Sequence, residues 1–314
     1  MCPGIFKEFL DHLYPNPEAQ KYVLNYMHLA LTTRNGNNTA LCLVGKKGTG
    51  KGLFVDLFKE LVGPHNFNKA HRGFFDSGFN RILLNKQLIH IDEQPINTAE
   101  RIDRFKDYCN NEHNIEKKGV DADRTVETFF QFIVTVNRDV DIKVDQDDRR
   151  FSIVDITHIP LRKERGGPWN DAKIERFVQA IHDVKQLRAF GNFILDECRD
   201  ERWGTEDAYM GSKFNRLVEV SLWEWQKFVL DIILRKSDTF YNLDRIKLMY
   251  KEVRTSTRSS ISRDLTADFL NNYRHEGHVL GTVGRDEDKK WGIIPGKSFR
   301  PKGADDDEKV ALQL

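Results

Sequence analysis

Cysteine is scarce in this chain. Four occur in 314 residues, Cys2, Cys42, Cys109 and Cys198, and no two form a C-x-x-C pair. That scatter offers neither a zinc site nor a dithiol redox motif, and reduced thiols in a cytoplasmic compartment are the expectation. Long apolar runs are also lacking. None approaches the roughly 18 residues of a membrane span, and no signal-peptide pattern is visible, so no membrane partner is expected. There is no internal repeat and no long low-complexity segment. An excess of charge of one sign is missing too: 49 Lys and Arg face 48 Asp and Glu, for a net charge of +1. Near-neutral balance does not announce nucleic acid, so any such binding must come from local basic clusters. What remains is the composition of a folded protein, 31% charged and 11% aromatic, with room for about two domains.

The chain is organised around Gly45-Lys46-Lys47-Gly48-Thr49-Gly50-Lys51-Gly52. An apolar run, Ala40–Val44, precedes it and reads as a buried strand. Leu53, Leu57, Phe58 and Leu61 follow at helical spacing. Strand, glycine-rich turn and helix is the context of a phosphate-binding loop. Backbone N–H groups point at an anion, the helix N-terminus adds partial positive charge, and a lysine reaches the terminal phosphates. The expected nucleotide contacts are Gly45, Lys46, Lys47, Gly48, Thr49, Gly50, Lys51, Gly52 and Leu53. One position departs from the pattern. Gly52 stands where a Ser or Thr hydroxyl normally binds Mg²⁺, which leaves the metal to water and another carboxylate. Nucleoside monophosphate kinases look similar at Lys51-Gly52, though they place Thr where this chain has Leu53.

A second apolar run, Gln87–Ile91, ends in Asp92-Glu93 some 40 residues after the loop. In phosphate-loop proteins an acid at the end of a neighbouring strand orients Mg²⁺ or its water. Asp92 is assigned to the metal and Glu93 to the general base. His90, inside this strand, is expected to be packed rather than catalytic. Phe129–Val136 reads as a long buried strand ending in Asn137, either a γ-phosphate and water contact or a turn-forming Asn. Between these strands, Asn114–Val126 has β-like flanks and a polar tip. Lys117, Lys118 and Arg124 there are either phosphate-backbone contacts or an ordinary solvated hairpin. Arg149 and Arg150, beside Asp147 and Asp148, are either a surface ion-pair cluster or a finger reaching a neighbouring subunit's nucleotide.

Taken together, these residues resemble a superfamily 3 helicase of the AAA+ class, closest in pattern to the D5-like helicase parts of phage and plasmid primase–helicases. The resemblance covers roughly residues 40–156. It rests on the order of Gly45–Gly52 with Lys51, Asp92-Glu93, Lys117-Lys118-Gly119, and Asn137 followed by Arg149-Arg150-Phe151. It implies an α/β AAA+ P-loop core with a parallel sheet, ATP and Mg²⁺ as cofactors, a homo-oligomer (a hexamer) with sites between subunits, and single-stranded or forked DNA through its centre. It further implies that Lys51 contacts the β- and γ-phosphates, Asp92 holds the metal, Glu93 activates water and Asn137 senses the γ-phosphate. Lys117 or Lys118 would sit on the DNA-gripping loop. Arg149 or Arg150, with Arg150 preferred, would act in trans. By the same resemblance the chain is expected to be part of a longer protein with primase or polymerase parts upstream, in the cytoplasm of a bacterial host.

Residues 1–36 read as an N-terminal helical cap, 37–162 as the ATPase core and 163–240 as a helical region opened by a linker at Lys163–Trp169. Residues 241–303 suggest helix, helix, hairpin, a winged-helix-like domain, and 304–314 an acidic tail. In that winged-helix-like region Arg245, Lys247, Lys251, Arg254, Arg258 and Arg263 offer a basic face, for DNA or for protein docking. The expected activity is an ATP-dependent DNA helicase in phage or plasmid replication. Two other readings stay open: a P-loop nucleotide kinase, which would turn over on a small acceptor, and a scaffold that binds ATP and DNA without hydrolysis.

Overall fold

The computed structural model describes residues 4–33, 38–76, 80–110, 112–114, 125–145, 148–222, 225–228, 241–253, 279–283 and 290–294. The chain forms two compact units, 1–221 and 222–314. Among the described residues, no helix is long and apolar enough to cross a membrane.

The first unit is built on a five-stranded sheet, and all of its strand pairs are parallel. Its strands are β1 (Ala40–Val44), β2 (Phe67–Lys69), β3 (Leu88–Asp92), β6 (Gln131–Val136) and β7 (Phe151–Asp155), in the spatial order β2-β3-β6-β1-β7. β1 and β6 are buried at every position, as strands covered on both faces must be. β6 is shorter than the apolar run from Phe129 predicts, because Phe129 is 44% exposed. A short antiparallel pair, β4 (Glu112–Asn114) and β5 (Thr125–Glu127), stands apart from this sheet.

Alternation along the strands sends side chains to two helical layers. Leu41, Leu43, Ile133 and Val154 join one core cluster with α1 (Gly4–Leu13), α2 (Pro17–Thr32), α3 (Lys51–Val62), α5 (Asp171–His182) and α6 (Val184–Glu197). α1 forms because Phe6, Phe9, Leu10 and Leu13 recur on one face, and all four are buried. α2 starts where the Asn16 side chain accepts the Glu18 N–H at 2.9 Å, with Pro17 in the first turn. The opposite face packs on α4 (Ala99–Tyr108), whose Phe105 ring stacks on Phe151 at 4.7 Å and touches Phe132 at 5.5 Å. Cys42, Cys109 and Cys198 are buried free thiols.

Two expectations need correction here. Lys163–Trp169 is not a linker. Trp169 is 2% exposed in the main core, its N–H donates to Leu161 O at 2.9 Å, and a β-carbon on Gly167 would meet the Pro160 carbonyl. The apolar positions from Val218 to Leu234 suggest one continuous helix, but the helix that holds Val218, α7 (Lys213–Ser221), starts earlier and ends before Leu222. Its start is held by Asp155, which accepts the N–H groups of Ser212 and Lys213 at 2.6 and 3.1 Å.

The second unit contains β8 (Tyr241–Asn242), α8 (Leu243–Val253), β9 (Val279–Val283) and β10 (Lys290–Ile294). The three strands form an antiparallel sheet in the order β8-β10-β9. Ile246 and Tyr250 of α8 are buried, and the Tyr250 ring lies 5.3 Å from Phe228. The helix expected over Ser259–Tyr273 and the acidic tail lie outside the described residues.

Candidate active site

The chain leaves β1 at Val44 and enters α3 at Lys51, so the glycine-rich stretch forms the turn between them. Two glycines are needed for separate reasons. Gly50 caps α3 with φ +113°, a left-handed backbone that side chains resist. At Gly45 a β-carbon would stand 2.7 Å from the Ile156 side chain. The turn therefore runs close to its neighbours, and Lys47, Gly48 and Gly50 line a cavity of about 550 Å³.

Strand order places the other groups around that cavity. Because β6 lies between β1 and β3, the end of β6 presents Asn137 between the loop and the acids. Lys51 Nζ donates to Asn137 Oδ1 at 3.2 Å, to Lys46 O at 3.0 Å and also to Gly45 O. The Asn137 amide nitrogen donates to Glu93 Oε1 at 2.6 Å. Lys47 Nζ lies 3.6 Å from the other Glu93 oxygen. Glu93 itself has φ +49°, an uncommon left-handed conformation for a non-glycine residue. Strict strand alternation would send Asp92 and Glu93 to opposite faces; the turned backbone lets both line the cavity.

Electrostatics follow from this crowding. Burial pushes the Lys51 ammonium down to about 8, with Glu93 working in the opposite direction. It remains cationic at neutral pH. Burial would raise the Asp92 carboxyl, but hydrogen bonds from Lys69 and Thr135 outweigh it and hold the group below the usual range. Lys69 Nζ is 2.6 Å from Asp92 Oδ2, and the Thr135 hydroxyl donates to Oδ1 at 2.9 Å. The ring of His90 bonds to the same Thr135 hydroxyl at 2.9 Å, and burial depresses its pKa to about 4. His90 is 6% exposed and sits behind the carboxylate.

The donor set fits a hexacoordinate Mg²⁺ that keeps several waters and takes one carboxylate plus phosphate oxygens. Asp92 would supply that carboxylate. No hydroxyl is available at Gly52, and Thr49 turns its own hydroxyl to Lys46 O at 3.2 Å. Among the described residues, no cluster of three or more His, Cys, Asp or Glu side chains is assembled to hold a metal.

Three cavity features escaped the sequence. Leu161 and Arg162 line it from the end of the expected core, and Arg165 from the stretch expected to be a linker. Leu161 N–H donates to Gly48 O at 2.8 Å, tying that stretch to the glycine loop. Arg162 pairs with Asp171, while Arg165 Nη1 would stand 3.2 Å from a β-carbon on Gly48. Ile174 and Val178 of α5 complete an apolar wall with Leu53. Only the two arginines beside a Gly-Gly-Pro turn could have flagged this segment.

Of the expected site residues, Lys47, Gly48, Gly50, Lys51, Gly52, Leu53, Asp92, Glu93 and Asn137 line one cavity. Gly45 and Lys46 contribute carbonyls to Lys51. Arg149 and Arg150 do not join them. Arg150 O accepts the N–H of Ala40 at 2.8 Å, at the opposite end of β1. Five residues of strand separate Ala40 from Gly45, about 17 Å at the usual rise, so neither arginine serves its own chain's cavity. They line a separate small cleft with Asn38, Cys109, Asn110 and Glu206. Lys117, Lys118 and Arg124 lie outside the described residues.

Residues 43–150 match the model of a family of unknown function (DUF5906). A DNA primase-polymerase from Nitratiruptor phage NrS-1 is 27% identical over 168 residues, which is 52% of this chain and 23% of that protein. The chain thus matches less than a quarter of the length of this relative. The apo structure of the NrS-1 C-terminal region superposes with a TM-score of 0.65 at 17% identity, covering 94% of this chain and 76% of that one. Its A form gives 0.64 at the same identity and coverage. The chain is an α/β protein whose fold is that of the C-terminal region of a phage primase-polymerase, and at 17% identity it is the fold alone that this likeness shows.

Proposed function

We propose that this chain is the ATP-hydrolysing part of a phage DNA-replication protein, an AAA+ P-loop motor of the superfamily 3 helicase type that moves along single-stranded or forked DNA. One observation carries the reading. Lys51, Asn137, Glu93 and Asp92, drawn from the ends of two strands and the start of a helix, meet at one cavity on the carboxyl edge of a parallel sheet. That edge, at a change in strand order, is where open α/β sheets bind ligands. The relation to a phage primase-polymerase supports a place in DNA replication, in the cytoplasm of a bacterial host, beside primase or polymerase parts.

The roles follow from geometry and charge. The glycine turn, through Lys47, Gly48 and Gly50, and the N-terminus of α3 receive the phosphates, and the apolar wall of Leu53, Leu161, Ile174 and Val178 is the side left for the base. Lys51 exchanges its bonds to loop carbonyls for phosphate oxygens. Mg²⁺, when bound beside Asp92, supplies charge neutralisation at those oxygens. Glu93 takes the proton of the attacking water, and Asn137 holds that water and the γ-phosphate in line. Phosphoryl transfer to water needs such positioning and charge stabilisation more than covalent help. In this reading Arg149 or Arg150, away from its own chain's cavity, would serve a neighbouring subunit in a ring, and the segment bearing Lys117, Lys118 and Arg124 is the proposed DNA grip.

The test is steady-state ATP hydrolysis with and without single-stranded DNA over a range of protein concentration, for the wild type and Lys51→Ala. The motor reading expects activity that rises with DNA and more than linearly with protein, and that falls about 100-fold or more in the variant. Turnover that requires a small phosphate acceptor instead would make the chain a nucleotide kinase. Nucleotide binding with no hydrolysis above the Lys51→Ala background would make it a scaffold.

A further inference from the structure

Lys69 and Asp92 are brought together by strand register. In the pairing of β2 with β3, Lys69 stands opposite His90. Asp92 is two residues further along β3, on the same face, so the lysine and the carboxylate are diagonal neighbours across the pair. Thr135 stands opposite Asp92 on the other side, on β6. The backbone therefore sends Lys69, His90, Asp92 and Thr135 to one face, whatever rotamers they adopt.

The side chains then close around the carboxylate. Lys69 Nζ takes Oδ2 at 2.6 Å, and the Thr135 hydroxyl takes Oδ1 at 2.9 Å. The hydroxyl has one proton to give. With His90 Nε2 at 2.9 Å donating to it, that proton is committed to Asp92. Both oxygens of the acid assigned to the metal are thus engaged by the protein, one of them by a cation. The usual compensating ligand is missing as well. Gly52 carries no hydroxyl, yet a β-carbon there would meet nothing within 4 Å, so steric crowding does not explain the glycine. The Lys69 side chain is 57% exposed, so it can leave the carboxylate for water.

On the reading of this cavity as a Mg²⁺–nucleotide site, we propose that Lys69 is a resident counter-cation of Asp92 that competes with the divalent metal. Direct metal coordination needs the negative oxygen that Lys69 holds, and two cations on one oxygen repel. Metal entry therefore requires Lys69 to swing out. The pair of Lys69 and Gly52 sets a weak metal affinity, and makes occupancy of the site respond to free Mg²⁺.

The experiment uses the whole chain and a fluorescent ADP analogue, with anisotropy read during a Mg²⁺ titration that starts in EDTA. Wild type, Lys69→Met, Lys69→Gln, Gly52→Thr and Lys51→Ala are compared, and Mn²⁺ binding by electron paramagnetic resonance gives a second readout free of turnover. The Mg²⁺ concentration at half-effect is expected to fall about fivefold in Lys69→Met and Lys69→Gln, the scale of a part-exposed ion pair. It is also expected to fall in Gly52→Thr. An unmoved metal midpoint in both Lys69 variants, with nucleotide still bound, overturns the proposal and leaves the nucleotide site standing. Loss of nucleotide affinity in EDTA in those variants also overturns it, by making Lys69 a phosphate ligand. Failure of the wild type to bind the analogue, or equal binding by Lys51→Ala, overturns the nucleotide reading itself.

Discussion

The amide nitrogen of Asn137 donates to Glu93 Oε1 at 2.6 Å. Its oxygen accepts from Lys51 Nζ at 3.2 Å. One side chain thus bridges the proposed phosphate lysine and the proposed base, and the amide can face only one way to satisfy both.

Replacing Asn137 by Ala removes that bridge. Nucleotide affinity is expected to change little, because the glycine loop and Lys51 remain. Hydrolysis is expected to fall by about 100-fold, the scale of a lost positioning donor. Single-turnover hydrolysis beside equilibrium binding of an ADP analogue checks this. A loss of affinity as large as the loss of rate would assign Asn137 to binding instead.

Arg149 and Arg150 sit at the end of β7 away from their own cavity, so a finger role requires a second subunit. Removing the right arginine is expected to cost about 1000-fold in hydrolysis. Mixing that variant with Lys51→Ala should restore activity, since each supplies the half-site the other lacks. Arg149 is exposed and Arg150 is half-buried, so testing both singly identifies the one that matters. Two inactive variants that stay inactive when mixed would remove the trans assignment.

His90 gives a pH dependence of known sign. Burial holds its folded pKa to about 4, against the ordinary 6.5 of a histidine. Between those values the unfolded chain binds more protons than the folded one. The contribution is fully present above pH 6.5 and is lost as pH falls through about 4, amounting to at most about 3 kcal/mol. Urea midpoints measured from pH 7 to pH 4 should therefore fall less steeply in His90→Gln than in the wild type. Parallel slopes would show that His90 is already as accessible to protons as in the unfolded chain.

Gly167 tests whether the Leu161–Trp169 segment is part of the site. A β-carbon there would overlap the Pro160 carbonyl, at 1.9 Å. Gly167→Ala is expected to displace Leu161 and Arg165 from the loop, and to weaken nucleotide binding about tenfold as well as stability. Thermal melting with and without nucleotide separates the two effects. Unchanged affinity would place the segment outside the binding determinants.

Local patterns carried much of this protein. Ala40–Val44, the glycine turn and the stripe from Leu53 were legible because a strand, a left-handed glycine and an amphipathic helix are each specified within a few residues. The buried strand before Asp92 and the β9–β10 hairpin were legible for the same reason. Tertiary structure decided what no window of sequence contains. It inserted β6 between β1 and β3, which put Asn137 against both Lys51 and Glu93. It folded Leu161 and Arg165 over Gly48, although composition alone reads the stretch from Lys163 as a linker. It also set Lys69 on Asp92, 23 residues away. Strand order and register are chosen by the burial of whole faces, a sum over distant residues, so these contacts exist only once the sheet is assembled.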